Sequence, residues 1–426
     1  MPVDIDIQAT NTDPQLFVDR LDETKELKLL LGRLLKSKNG QGGVLVKGDS
    51  GVGKSILSRR VLDELRTEWS ADLVVVEIDG GRLTGVRGLL NRLCEVIYAE
   101  VEGLGEEDLT NRAAWLAKVA SYGKLTANEI KQINQEVSAS SKIRSSFWGL
   151  LSGEGALGWK RTASTSASDG YEIVITEDYL SKLLSAFLQE LHTYQYRPLI
   201  FLDNLDRIGR MDAQEDANTI AALVKQLLEL PDCVLLLNLR TQFAHHTTDR
   251  RELTHLALEG LPPQVLQEIL AQRLQQLVSD DITRLSLPEA ALHTVAERLA
   301  RRTDNPLAFL RWLDFWLART ENRPEDLERD MEKFIRQYFT TVSRPWLAST
   351  ITQLVAERDA GYNDSPLTPA LQRPQILLLE RAGAIVPDSL LLDPPERRYH
   401  LHHDLDFLLP EGYYHAATLP PTSAKG

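Results

Sequence analysis

The chain has 426 residues, of which 43% are hydrophobic and 26% charged, with a net charge of −13 and a pI of about 5.3. That length leads us to expect two or three domains, and the acidic balance excludes a basic nucleic-acid surface spread over the whole molecule. Two cysteines, Cys94 and Cys233, exclude a disulfide framework and fit a reducing cytoplasm, and no apolar run approaches a membrane span.

Residues 1–12 read as a loose arm without a targeting signal. Leucines at helical spacing predict a helix over 23–35. A polar, glycine-rich link then leads to Val44-Leu45-Val46, a buried strand. Residues 56–69 are helical by period. The run 72–78 is a second buried strand, Asp79-Gly80-Gly81 a turn, and 86–101 a helix. From Glu102 the pattern loosens, with helices expected over 106–123 and 126–137. Residues 138–170 are rich in Ser, Gly, Ala and Thr and predict an insertion, in part hairpin-like. Regularity returns with 171–176, a helix over 177–191, a strand over 198–202, a helix over 213–230, a strand over 233–239 and a short one over 253–258. Fully apolar strands alternating with helices predict a parallel sheet covered on both faces. Helices are expected over 264–277, 288–301 and 306–318, with Trp312 and Trp316 in their core, and a linking helix over 325–339. Helical segments ending at 375–382 precede two β-like runs, 384–386 and 398–401. Helices followed by strand, turn and strand resemble a winged helix, which we expect to end near Leu409.

The most informative stretch is Gly48-Asp49-Ser50-Gly51-Val52-Gly53-Lys54-Ser55, the G-x-x-x-x-G-K-[ST] phosphate loop, set between a strand and the helix that continues through Ile56. Glycines let successive backbone N–H groups turn inward around an anion, and the helix start adds its positive dipole end. Lys54 can reach the terminal phosphates of a nucleotide and Ser55 can ligate Mg²⁺.

Such a loop needs a carboxylate from a second strand. Leu199-Ile200-Phe201-Leu202-Asp203 supplies one at a strand's C-terminal end, so Asp203 is the expected partner of Ser55 on the metal. Asn204 follows; it can orient water but cannot take its proton, and Asp206 is the nearest carboxylate along the chain that can. The third strand ends Asn238-Leu239-Arg240. We favour Arg240 as a γ-phosphate sensor, with Asn238 second. Arg250 and Arg251 are candidates for arginine fingers in a neighbouring subunit, although a solvated charge pair explains them at least as well. No Asn-Lys-x-Asp guanine-reading motif is present, which points to ATP. His400, His402 and His403 cluster with Asp404 and Asp406; a polar wing and turn explains them better than a metal site.

These residues resemble the AAA+ ATPases, especially the initiator-like branch, and the neighbouring STAND ATPases. Phe17-Val18-Asp19-Arg20 looks like the hydrophobic-hydrophobic-Gly-Arg motif near the adenine, with Asp19 in place of Gly. Asp203-Asn204-Leu205-Asp206-Arg207 is similar to the Asp-Asp-Leu-Asp-Arg form of KAP-type ATPases. Leu261-Pro262 through Arg273 resembles the first lid helix, and Asn305-Pro306-Leu307 looks like the Gly-x-Pro signature whose proline packs near the base. The resemblance implies an α/β parallel-sheet core over 1–260 with an insertion at about 102–170. A helical lid over 261–322 and a winged-helix domain with tail over 323–426 complete the expected division. It implies an ATP- and Mg²⁺-dependent conformational switch, in a homo-oligomer or multi-protein assembly, serving DNA transactions or bacterial antiphage defence. Any DNA contact through the winged helix or the insertion is expected to be local, and the balanced charge of the winged helix favours a protein-docking or autoinhibitory role over DNA binding. Two departures stand out. Pro306 lies where the initiator branch places a sensing arginine. Asn204 replaces the usual glutamate, which implies slow turnover and leaves a non-catalytic nucleotide-bound scaffold as the alternative. A small-molecule kinase, needing neither lid nor winged helix, is a weaker third.

Overall fold

The computed structural model describes residues 20–37, 42–69, 72–122, 124–126, 160–162, 172–205, 213–244, 247, 253–276, 289–317, 324–331, 333, 385–387, 399–401 and 407. Five strands form one sheet: β1 (Gly42–Lys47), β2 (Leu73–Asp79), β6 (Arg197–Asp203), β7 (Val234–Leu239) and β8 (Leu253–Ala257), ordered β2-β6-β7-β1-β8. Every neighbouring pair is parallel. Three short strands, β3 (Lys124–Thr126), β4 (Lys160–Thr162) and β5 (Glu172–Val174), make a separate antiparallel sheet ordered β3-β5-β4.

Side chains of a strand alternate between faces, and here each face has its own core. Val44, Val75, Leu199, Phe201 and Leu236 enter one apolar cluster, closed by the leucines of α1 (Leu21–Lys36) and α2 (Lys54–Trp69). Their neighbours Leu45, Val74, Val76, Ile200, Leu202, Leu235 and Leu237 enter the other. That second core is closed by α3 (Val86–Glu102), α4 (Glu107–Tyr122), α5 (Glu177–Thr193) and α6 (Ala213–Leu228). Continuous apolar runs are what such doubly covered strands require. The edge strand β8 alternates buried and more exposed positions because only part of it is covered.

The loosened pattern after Glu102 predicts an insertion, but its first helix belongs to the core. Leu109, Ala113, Leu116 and Val119 of α4 are fully buried in the second cluster. Arg112 Nη1 donates to Glu190 Oε2 of α5 at 2.9 Å, with both residues buried. Arg87 of α3 donates to the carbonyls of Ala120 and Ile175, joining both ends of the detour to α3. Thr126 lies in β3 rather than in the helix expected over 126–137; the rest of that helix falls outside the described residues, as does most of 138–170.

Beyond a one-turn helix α7 (Thr241–Ala244) and β8, three helices pack together: α8 (Pro263–Gln276), α9 (Glu289–Ala300) and α10 (Pro306–Leu317). Trp312 and Trp316, four apart on α10, are fully buried, as their spacing predicts. Strands β9 (Ile385–Pro387) and β10 (Tyr399–Leu401) pair antiparallel, matching the two β-like runs. The helices expected before them lie outside the described residues. Phe407 packs edge-on against Trp312 with ring centroids 5.6 Å apart. Cys94 and Cys233 are buried thiols; desolvation pushes both up, Cys233 to about 12, which leaves them inert as nucleophiles.

Candidate functional site

Four strand ends converge at the C-terminal edge of the sheet: Lys47, Asp79, Asp203 and Leu239. Open parallel sheets bind ligands at this edge. The phosphate loop leaves β1 here, between β7 and β8, and α2 begins at Lys54. Gly51 and Gly53 adopt φ of 89° and 99°, the left-handed region that turns backbone N–H groups inward. Lys54 Nζ donates to the carbonyls of Gly48 and Asp49, both at 2.8 Å, so the ammonium is held over its own loop.

Ser55 Oγ donates to Asp203 Oδ1 at 2.8 Å across 148 residues of chain. Asp203 is 5% exposed, and a carboxylate buried that deeply needs donors. Its Oδ1 also accepts from Asn204 N at 3.0 Å and Asn238 Nδ2 at 3.1 Å, and Arg59 lies 3.9 Å from Oδ2. Asn238 in turn accepts from Ser58 Oγ at 2.9 Å, which locks its amide and aims the NH₂ at Asp203. Of the two sensor candidates, Asn238 is the one placed on the carboxylate. Arg240 lies one residue past β7, its carbonyl accepting from Phe243 and Ala244 at the start of α7.

Arg20, expected near the base, ties three segments of the protein together. It has a left-handed backbone at φ 75° and is 5% exposed. Its guanidinium donates to Val52 O at 3.0 Å, to Glu259 O and to Glu23, tying the start of α1 to the phosphate loop and to the chain after β8. Beside this clamp is a cleft of about 260 Å³ walled by Gly48, Asp49, Val52, Leu258, Gly260 and Asp304. Pro306 opens α10, whose N-cap is Asn305: its Oδ1 accepts from Leu307 N and Ala308 N. The same side chain donates from Nδ2 to Ser50 O at 2.8 Å, fastening α10 to the loop. A Cβ on Gly51 would stand 2.4 Å from Leu307 Cβ, so only glycine permits this approach. Ile56 sits in the first turn of α2. Asp206, Arg250 and Arg251 fall outside the described residues, as do His402, His403 and Asp404. Among the described residues no cluster of metal-ligating side chains outside this site stands out.

Three residues escape a reading by motif: Ser58 and Arg59 behind Asp203, and Asp79 at the end of β2. Asp79 carries the signal that singled out Asp203, an acid closing a buried strand, but Gly80-Gly81 after it reads as a plain turn.

The hydroxyl and carboxylate oxygens of Ser55 and Asp203 are hard donors set 2.8 Å apart beside a helix N-terminus and a lysine, a set that fits Mg²⁺ and phosphate. The family described as AAA ATPase domain matches residues 16–236, just over half of the chain. A comparison with curated proteins finds no match. Among solved structures, the chain is similar to the Aeropyrum pernix ORC2 protein, at 12% identity and TM-score 0.45, covering 92% of this chain and 93% of that one. It is similar to the Walker-type ATPase paby2304 of Pyrococcus abyssi, at 14% identity and TM-score 0.42, covering 96% and 99%. It is also similar to Drosophila ORC bound to DNA, at 14% identity and TM-score 0.43, covering 96% and 92%.

Proposed function

As the chain belongs to the AAA ATPase domain family, we propose that it binds Mg·ATP at this edge and hydrolyses it slowly, as a nucleotide-dependent switch. The observation that carries the reading is the Ser55–Asp203 hydrogen bond, which joins the phosphate loop to the acid of β6. Lys54 and the loop amides hold the phosphates, and Ser55 with Asp203 holds Mg²⁺, which when bound neutralises charge on the β- and γ-phosphates. Asn238 keeps Asp203 oriented, and Arg240 senses the γ-phosphate, with Asn238 the second candidate. Asn204 orients the attacking water. The base occupies the cleft between Val52 and Leu258, under the Arg20 clamp and near Pro306.

The division into a core (1–260), a lid (261–322) and a winged-helix domain with tail (323–426) follows from this reading. Binding closes the lid against the loop and repositions the C-terminal region. We place the switch in the cytoplasm of a bacterium, in a homo-oligomer or multi-protein assembly linked to DNA or to antiphage defence. The winged helix docks a protein partner or an autoinhibitory surface, with DNA contact through it or the insertion as the alternative. The motifs Asp203-Asn204-Leu205-Asp206-Arg207 and Asn305-Pro306-Leu307 support that placement. Among the described residues no helix is long and apolar enough to cross a membrane.

Asn204 favours a second reading, a nucleotide-bound scaffold without turnover. ATP binding and steady-state hydrolysis, with and without DNA, separate the two. Wild type is expected to bind and slowly hydrolyse ATP, and Lys54→Ala to lose both. Binding without turnover under any condition establishes the scaffold instead, and absence of binding refutes both readings.

A further inference from the structure

We propose that the base on the water that attacks ATP is not Asp206, the nearest acid along the chain, but Asp79, which supplies across the sheet the carboxylate missing from position 204. The inference rests on the ATPase reading above. Asp79 and Asp203 are register partners at the ends of the adjacent parallel strands β2 and β6. Asn204 has a left-handed backbone, φ 55°, and its Nδ2 donates to Asp79 Oδ1 at 3.2 Å. Hydrolysis in such a site needs a group that orients water and a group that accepts its proton. Asn204 is the first kind. The carboxylate its amide touches is the second.

The contact is built into the backbone. A Cβ on Gly80 would stand 2.7 Å from Leu205 Cα, 2.8 Å from Leu205 N and 2.9 Å from Asp203 O. All three are backbone atoms that cannot swing aside, so glycine is what lets the turn after β2 close onto the turn after β6. That approach brings Asp79 to Asn204. A capping role explains part of Asp79, since Oδ1 also accepts from Gly81 N at 3.2 Å. It does not explain the amide reaching over from the next strand. Asp79 Oδ2 lies 3.6 Å from Arg82 Nε on the exposed rim, and the Asp79 side chain is 48% exposed, within reach of water.

The step balances without a co-reactant. The water oxygen bonds to the γ-phosphorus while the bond from that phosphorus to the β–γ bridging oxygen breaks. The bridging oxygen leaves on ADP with the electron pair. The water proton passes to Asp79 and then to solvent, leaving ADP and phosphate.

Asp79→Asn tests this cleanly, because asparagine can still accept from Gly81 N. Its single-turnover hydrolysis is expected to fall about 100-fold or more, with ATP affinity little changed. Nucleotide extracted from the purified variant is expected to be ATP where wild type yields ADP. Moving the acid across the pair, Asp79→Asn with Asn204→Asp, is expected to restore hydrolysis to within about tenfold of wild type, since one carboxylate again faces the water. Hydrolysis by Asp79→Asn at the wild-type rate overturns the proposal. So does loss of ATP binding in that variant, which makes Asp79 a binding residue, or wild-type protein that binds ATP without ever hydrolysing it. Failure of wild type to bind ATP at all refutes the parent reading, and Lys54→Ala distinguishes that case.

Discussion

Asp203 gathers three hydrogen-bond donors on one oxygen, from three segments of chain, which makes it the most tightly determined side chain of the site. Gly80 acts at the same scale and through the same acid, because it sets how closely the turns after β2 and β6 approach. Gly80→Ala forces a Cβ onto the backbone of Leu205 and is expected to cost about 1–3 kcal/mol, as overpacking of a well-fitted contact does. Hydrolysis should fall more than ATP affinity, measured by single-turnover kinetics beside a binding titration. An alanine variant with wild-type turnover would show that the approach has no bearing on chemistry. The phosphate loop and Asp203 are legible in the sequence because each is a contiguous string whose chemistry dictates its residue types. Asp79 is not, since its neighbour Asn204 lies 125 residues away and only strand pairing brings them together. Arg20 is legible as a candidate near the base, but its bonds to Val52 and Glu259 are not. Its left-handed backbone and its fold onto Val52 depend on where α1 docks.

Elements follow from periodicity wherever one core dictates burial. The inner strands of the parallel sheet read correctly because both faces are covered and most positions are apolar. Their order does not follow, since β2 comes directly after α2 yet lies at the sheet edge with β6 and β7 between it and β1, a crossing that no local pattern encodes. Helix α4 is legible as a helix but not as core. Its buried face mixes alanines with leucines and includes Arg112, a residue that reads as surface. That arginine is buried because Glu190 meets it from α5. Removing one partner of a buried pair strands the other charge, so Arg112→Ala is expected to cost about 3–5 kcal/mol. Thermal unfolding in the absence of nucleotide checks this. A shift in Tm no larger than that of a surface arginine variant would mean that α4 is held by its apolar face alone.

For the molecule as a whole, the joint that matters is between the sheet edge and the three-helix layer. Asn305 caps α10 and bonds to Ser50 with the same side chain, and Leu261 N donates to Asp304 O at 2.6 Å alongside. Asn305→Ala removes both functions. The lost cap is expected to cost about 0.5–2 kcal/mol. The lost tie to the loop should appear separately, as a smaller rise in Tm on adding saturating Mg·ATP than wild type shows. In wild type that rise corresponds to about 2.7 kcal/mol at a ligand concentration of 100 times Kd. An equal rise in both proteins would mean that the loop senses nucleotide without the helix.

Helix α10 is attached at two points with different owners. Its first turn is fastened to the phosphate loop, and two turns further on Trp312 seats Phe407, which comes from the far end of the chain and also lies under Arg302. At 1.5 Å of rise per residue the two attachments stand about 10 Å apart along one rod. One short helix therefore carries both a hydrogen bond to the phosphate loop at its start and, two turns on, an aromatic contact with residue 407.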